Sequence, residues 1–246
     1  MHIWDAPLSR MEGESAAIAL SSTATYLALK PGFKEVRLYC ASAFQMAICP
    51  RLDHALYFDG QYSDHRNNVI DRSTSTHMGL DAMPTTALVY LGTTDPVRGF
   101  YLSINATNKN TNEATLDVEY CSTAMASGTA IAFTNVDDDS DGTNSGSATL
   151  ATSGAYTFTL PSVVASRLGS YNQAKLESCY WYRFAPSATL SATVDIEEII
   201  PIYQNTNYAW MQAAIEYSIP LDPERDGGLV FYIASTTPDL YVSWQK

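Results

Sequence analysis

The chain has 246 residues, of which 46% are hydrophobic and only 16% are charged, and its net charge at pH 7 is -12. A negative charge of this size repels phosphate backbones and anionic lipid surfaces, so we expect neither nucleic acid nor membrane as a partner. Interfaces are depleted in charged residues and enriched in tyrosine, of which the chain has 16. The composition fits a subunit that packs in an assembly and a Ser/Thr/Tyr-rich extracellular β-protein about equally well.

Short runs of β type, bounded by turn residues, recur along the chain, and no segment keeps a helical apolar period for long. We therefore expect an all-β fold. In the first third, we predict strands at residues 25–29, 36–40, 44–48 and 56–58. The polar stretch 59–83 follows, and its low apolar content predicts an extended arm or a long surface loop. These segments make up a predicted N-terminal unit of residues 1–84.

A second unit is predicted over residues 85–200, where strands and loops alternate at regular spacing. Its predicted strands are residues 87–91, 99–104, 116–120, 130–133, 148–150, 156–160, 180–184 and 193–199. This spacing is typical of a β-sandwich or a jelly roll.

The last predicted strands, at residues 215–219, 229–233 and 240–244, are too few to form a sheet of their own. An isolated hairpin is only marginally stable in water. We therefore expect residues 201–246 to return and complete the N-terminal sheet. The predicted fold class is an all-β protein, a β-sandwich or jelly roll of two units, in which the middle unit is an insertion.

The four cysteines show no metal-binding pattern. Cys40, Cys49, Cys121 and Cys179 have no CxxC spacing and no histidine close in sequence. Each has apolar or aromatic neighbours, which predicts a buried, reduced thiol that acts as a small hydrophobic side chain. Cys179 is therefore interpreted as structural.

The candidate metal-binding segment is the acidic loop around Asp137, Asp139 and Asp141, followed by Gly142. It matches the opening of a calcium loop, in which alternate carboxylates face one cation and glycine permits the turn. The twelfth position is Ala148, where such a loop requires a bidentate glutamate. A solvated acidic loop between strands is the favoured interpretation, and we expect no bound metal and no cofactor.

No catalytic constellation is evident in the sequence. The histidines, at positions 2, 54, 65 and 77, are scattered, and none lies in a nucleophile motif. Pairs of carboxylates suitable for glycoside hydrolysis are numerous, but nothing selects one pair. We predict that the protein is not an enzyme.

The aromatic side chains are candidates for packing or for a sugar-binding platform. Trp181 lies in an apolar strand and Trp244 ends another, so core packing is the favoured role for both. The predicted interface residues are Trp4, Tyr62, Tyr208 and Trp210. Trp4 lies in a terminal segment that could anchor an arm to a neighbouring subunit.

Three stretches of the second unit resemble a module of tailed-bacteriophage and prophage structural proteins. They are the glycine-rich loop 141–150 (DGTNSGSATL), the strand 154–161 (GAYTFTLP) that ends in proline, and the strand 180–184 (YWYRF) with 187–191 (SATLS) after it. Ser147 stands where a second glycine is usual, and Phe158 where tryptophan is common. The resemblance covers residues 85–200 and implies a jelly-roll sandwich in a virion component.

Arg183 is a charged residue within an aromatic strand, so its guanidinium must find a carboxylate or backbone carbonyls. We predict a structural role, with Asp117, Glu119 or Asp195 on a neighbouring strand as the partner.

The resemblance and the composition together lead to a virion subunit, made in the host bacterial cytoplasm, since residues 1–5 lack the basic and apolar parts of a signal peptide. The favoured role is a capsid decoration or cement protein that stabilises the head, forms a homo-oligomer such as a trimer, and binds other virion proteins. A neck or tail protein, including a host-receptor binder, is the first alternative. A carbohydrate-binding protein is the second.

Overall fold

The structure is a computed structural model that describes residues 15–29, 34–70, 75–123, 132–163, 165–166, 178–203, 208–222, 226–233 and 238–245. The predicted anchor Trp4 lies outside these residues. Within them, the chain forms strands almost throughout, with one short helix. The prediction of an all-β fold built from antiparallel sheets is confirmed.

The first elements in chain order are β1 (Ser15–Ala19), β2 (Thr25–Ala28), β3 (Glu35–Cys40), β4 (Phe44–Pro50), β5 (Leu52–Phe58), β6 (Tyr62–Asp64), α1 (Arg66–Ile70), β7 (Met78–Gly79), β8 (Leu88–Thr93), β9 (Val97–Ile104) and β10 (Leu116–Cys121). The remaining elements are β11 (Phe133–Asn135), β12 (Ser140–Asp141), β13 (Gly154–Thr157), β14 (Ala165–Ser166), β15 (Cys179–Pro186), β16 (Asp195–Tyr203), β17 (Ala209–Met211), β18 (Glu216–Pro220), β19 (Asp226–Tyr232) and β20 (Asp239–Gln245).

The chain divides into two compact units. The terminal unit consists of residues 1–49 together with 205–246, and the inserted unit consists of residues 50–204. The C-terminal strands pair with the N-terminal ones: β20 lies between β1 and β3, and β19 lies between β4 and β2. The predicted return of the C-terminal strands to the N-terminal sheet is therefore found in the structure.

The terminal unit is a sandwich of two four-stranded sheets, ordered β1-β20-β3-β18 and β17-β4-β19-β2. Strand β3 alternates half-buried and buried residues, so that Val36, Leu38 and Cys40 all face inward. These side chains share one hydrophobic core with Phe44 and Phe231 of the other sheet. Burial of this alternating face from both sheets is what holds the sandwich together.

The inserted unit also has two sheets. One is ordered β11-β10-β15-β8-β5-β6, with β14 pairing β15, and the other is ordered β12-β13-β9-β16-β7. Its core contains fully buried aromatic rings from both sheets, among them Phe100, Tyr156 and Tyr182. The ring of Phe100 meets that of Tyr182 edge to face at a centroid distance of 5.3 Å, which is a favourable aromatic geometry.

The predicted unit boundary near residue 84 is wrong, because residues 50–84 belong to the inserted unit. Strand β5 lies between β8 and β6 inside one of its sheets, and β7 pairs with β16 at the edge of the other. The polar stretch at residues 59–83 suggested a boundary after it, but the change of unit occurs at the end of β4, where the sequence carries only Pro50.

The predicted arm at residues 59–83 is also wrong for the residues that the structure describes there, 59–70 and 75–83. Val69, Met78, Leu80 and Met83 are buried in the core of the inserted unit. These four apolar side chains are spread through a polar stretch, so the mean apolar content is low although each one fills a core position. A composition average therefore misses a segment that contributes a helix and two short strands.

Candidate functional site

A large apolar residue lies exposed at the edge of the terminal unit. The side chain of Trp210 is 68% exposed and that of Ile215 is 41% exposed, and among the described residues these are the large hydrophobic side chains that remain exposed. Tryptophan is normally kept from water in soluble proteins and is enriched at binding hot spots. We call residues 209–215 the apolar edge.

The apolar edge joins the margins of both sheets of the terminal unit. Strand β17 is the outermost strand of one sheet and β18 is the outermost strand of the other. Trp210 pairs with Gln45 of β4, and the next residue, Met211, turns into the core. Because successive side chains of a strand point to opposite faces, the burial of Met211 fixes Trp210 outward.

The turn between the two strands is held by hydrogen bonds. The backbone N–H of Gln212 donates to the hydroxyl of Tyr217 (2.7 Å), and the N–H of Ala214 donates to the carbonyl of Cys40 (2.8 Å). Ala214 has a φ of 56°, a left-handed conformation that costs about 1–2 kcal/mol for a residue with a Cβ. The turn is therefore fixed in an unfavourable backbone conformation, and the exposed Ile215 follows it directly.

The other interface candidates are less accessible than Trp210. Tyr208 is half-buried, with its ring centroid 6.5 Å from that of Tyr232. Tyr62 is also half-buried and packs on Phe58 and Tyr90, at centroid distances of 4.7 and 5.8 Å. Tyr62 thus completes an aromatic cluster of the inserted unit.

Strand β15 places the three predicted structural residues in one element. Cys179 and Trp181 are buried, and the ring of Trp181 stacks on His54 at a centroid distance of 5.2 Å. All four cysteines are buried, which confirms the predicted burial of these side chains.

Arg183 pairs with Glu119, one of its three predicted partners. The two residues lie directly opposite each other on β15 and β10, and their side chains form an ion pair. The guanidinium carbon lies 4.4 Å from the ring centroid of Phe133. Burial opposes the charged form, but hydrogen bonds with Glu119 and Tyr90 outweigh it and raise the pKa of Arg183. The arrangement is a structural cross-strand contact.

The acidic loop directs its carboxylates to separate partners. Asp139 accepts a hydrogen bond from the hydroxyl of Tyr156, while Asp141 accepts from the N–H (2.8 Å) and the hydroxyl (2.6 Å) of Thr143. Burial, and then Asp139, raise the pKa of Tyr156 well above its usual value. Asp137 is exposed. Across the parts of the chain that the structure describes, no group of three His, Cys, Asp or Glu residues is placed to hold a metal ion.

Two histidines that are distant in sequence come together in the inserted unit. The Nε2 of His65 lies 3.0 Å from the hydroxyl of Ser63, and His77 lies 3.4 Å from a carboxylate oxygen of the buried Asp195. Burial lowers the pKa of His65, against the opposing charge of Asp64, and His77 adds to the lowering. The Nδ1 of His65 is buried and has no hydrogen-bond partner among the residues that the structure describes.

A polar cleft that the sequence did not indicate lies between the start of β9, the end of β13 and the acidic loop. It is lined by Arg98, Asp138, Thr157, Phe158, Thr159 and Leu160. Its charged residues lie 40 positions apart in sequence, so no local motif could indicate their proximity.

Comparison of the chain with protein-family models, with curated proteins and with solved structures finds no match. Among the described residues, no helix is both long and apolar enough to span a membrane.

Proposed function

We propose that this chain is a non-enzymatic structural subunit of a tailed-bacteriophage virion that binds the outer capsid as a decoration or cement protein. The observation that carries the proposal is the apolar edge, where Trp210 is held exposed by a hydrogen-bonded turn. A side chain of this size covers about 150–250 Å² when it becomes buried. Its exposure therefore favours a binding role for this edge.

The strand order of the terminal unit supports the same proposal. The chain changes sheet with each successive strand, from β1 to β4 and again from β17 to β20. We assign this order to an eight-stranded jelly roll, an architecture used in viral capsid proteins as well as in lectins and cupins. The assignment moves the jelly roll from residues 85–200, which carry the sequence resemblance, to the terminal unit.

The composition agrees with burial against companion chains. The charged fraction of 16% is low, so uncharged polar side chains supply much of the surface. The partner that fits the apolar edge is a capsid protein with an apolar pocket for Trp210, because hot-spot side chains insert into desolvated pockets. Neutral contacts around such a pocket exclude water from it.

The test is to produce virions whose copy of this chain carries Trp210→Ser. The amount of this chain in the purified particles is then compared with the amount in wild-type particles. We expect at least a tenfold loss, since removing a hot-spot tryptophan costs about 2 kcal/mol or more of binding. Ala213→Ser is the matched control, because Ala213 is exposed in the same turn and carries no large apolar group. Both variants should melt like wild type.

If particles with Trp210→Ser contain as much of this chain as wild-type particles, docking through the apolar edge is ruled out. A loss for Ala213→Ser of the same size would mean that the turn, and not the indole, makes the contact.

A further inference from the structure

Strand β1 forms one margin of a sheet in the terminal unit. It is the outermost strand in the order β1-β20-β3-β18, and among the described residues no strand pairs with its outer side. The N–H of Leu20, directly after β1, donates to the carbonyl of Pro238 on the β20 side (3.0 Å). Successive residues of a strand direct their N–H and C=O groups to opposite sides. The backbone groups of Ser15, Ala17 and Ala19 therefore face outward, away from β20.

The opposite margin of the same sheet is protected against pairing. Strand β18 lies there, and the N–H of Leu221 donates to the carbonyl of Lys34 on the β3 side (2.8 Å). The same alternation places the backbone groups of Glu216, Ser218 and Pro220 on the outer side of β18. Proline has no N–H to donate and glutamate brings a charge, so both residues hinder a further strand from extending the sheet.

Strand β1 carries neither form of protection. Residues 15–29 include no charged residue and no proline, although the chain has a net charge of -12. Ala17 and Ala19 are exposed, and their small side chains leave the outward backbone groups accessible. An unprotected edge of this kind is a template for pairing with another strand.

We propose that β1 is a self-association edge, where it pairs antiparallel with β1 of a second copy about a two-fold axis at Ala17. In this register the two Ala17 residues exchange N–H···O=C bonds with each other. Each Ser15 exchanges the same bonds with Ala19 of the other copy. All the outward backbone groups of both strands are then paired, and the two sheets join into one continuous sheet.

The strand itself favours a second copy as the occupant. Its outward residues are spaced symmetrically about Ala17, so the strand is complementary to itself in the antiparallel direction. Pairing about a two-fold axis is also the commonest symmetry of homo-oligomers. Two copies that each carry a net charge of -12 repel each other, and like charges directly opposite in a strand pair destabilise it. Strand β1 brings no charged side chain to such a position.

This inference goes beyond the proposed function. The apolar edge lies at β17 and just before β18, whereas β1 lies at the other margin of the sheet that contains β18. The test below uses the isolated chain, so its outcome does not depend on whether the chain belongs to a virion.

The first test is sedimentation analysis of the full chain over a series of rising concentrations. A strand pair of this length is a small interface, so we expect a dimer that forms at high protein concentration. Ala17→Pro should weaken the dimer about tenfold or more, because both N–H donors at the two-fold axis are lost. The substitution removes no hydrogen bond to β20, since the N–H of Ala17 faces outward.

The matched control is Ser218→Pro, which places the same residue at an outward position of β18. We expect it to dimerise like wild type. Thermal melting of both variants verifies that each one is folded.

The second test determines the register with cysteine variants and diamide, which takes up two protons and two electrons when two thiols form a disulfide. Residues that exchange both hydrogen bonds have Cα atoms about 5.5 Å apart, within the roughly 4.4–6.8 Å of disulfides. Ala17→Cys should therefore form a covalent dimer. Ala19→Cys should not, because Ala19 lies opposite Ser15 and far from its own copy. The native cysteines are buried, so wild type should stay uncrosslinked.

A chain that remains monomeric at every concentration would overturn the proposal. A dimer that Ala17→Pro leaves intact, or that Ser218→Pro weakens equally, would place the contact elsewhere and overturn it too. Crosslinking of Ala19→Cys as readily as Ala17→Cys would contradict the two-fold register.

Discussion

The contact between Arg183 and Glu119 illustrates what single residues reveal before the structure is known. An arginine flanked by Tyr182 and Phe184 needs a partner across the strand, and the partner found was one of the three predicted. The cation-π contact with Phe133 was not predictable, because it depends on β11 lying beside β10. The sequence thus indicates that Arg183 needs an acidic partner. Its contact with Phe133 depends on the order of the strands in the sheet, which the sequence does not show.

His65 makes the stability of the inserted unit depend on pH. Its folded pKa lies below the ordinary value of about 6.5, so the unfolded state binds the proton more readily. The stability that neutral His65 confers is complete above pH 6.5 and is lost as the pH falls from there to the folded pKa. We expect the free energy of unfolding of His65→Gln to fall less than that of wild type between pH 7 and 5.

Denaturant unfolding at several pH values measures this difference directly. The charges that bear on His65 are those of Asp64 and His77, and both remain in the variant. Parallel pH profiles for the two proteins would contradict the assignment of this proton to His65.

At the scale of elements, the alternation of apolar and polar residues predicted the strands that bury one face. Strands β3, β4 and β10 were predicted with small errors at their ends, because apolar and polar residues alternate in them. Strand β17 was missed because it has three residues, and three residues carry no periodic signal. The apolar edge could be proposed from Trp210 alone, but its place at a sheet margin could not.

Gly154 allows the close approach of β13 to the end of β12. A Cβ there would lie 2.0 Å from the carbonyl oxygen of Gly142, which is backbone and cannot move aside as a side chain could. We expect Gly154→Ala to destabilise the inserted unit by about 3 kcal/mol or to prevent its folding.

The control for this substitution is Gly146→Ala. Gly146 has a φ of 64° and open space around its Cβ position, so it should cost only about 1–2 kcal/mol, from backbone strain. Denaturant unfolding compares the two variants. Equal losses would mean that the contact between Gly154 and Gly142 does not limit the fold.

At the scale of the whole molecule, the insertion was predictable because three C-terminal strands could not form a stable sheet alone. Its boundaries were not, because the polar stretch at residues 59–83 hides Val69, Met78 and Leu80. The cleft at Arg98 was missed for a similar reason, since β9 and the acidic loop are distant in sequence and are joined through hydrogen bonds of residues 158 and 159, which follow β13.

The division into units predicts how fragments behave. Residues 50–204 should fold alone, since they contain both sheets of the inserted unit. Residues 85–200 should not, because they lack β5, β6 and β7 and expose the margin of β8 that β5 covers. Dispersed amide NMR signals and a cooperative melt are expected for the longer fragment. A folded 85–200 fragment would contradict this division.

The most direct measurement for the proposed virion role is the copy number of this chain in purified particles, determined by quantitative mass spectrometry against the major capsid protein. We predict many copies per particle, in a fixed ratio to the capsid protein, because a decoration protein follows the symmetry of the head. A few copies per particle would place the chain in the neck or tail instead. Its absence from purified particles would contradict the account.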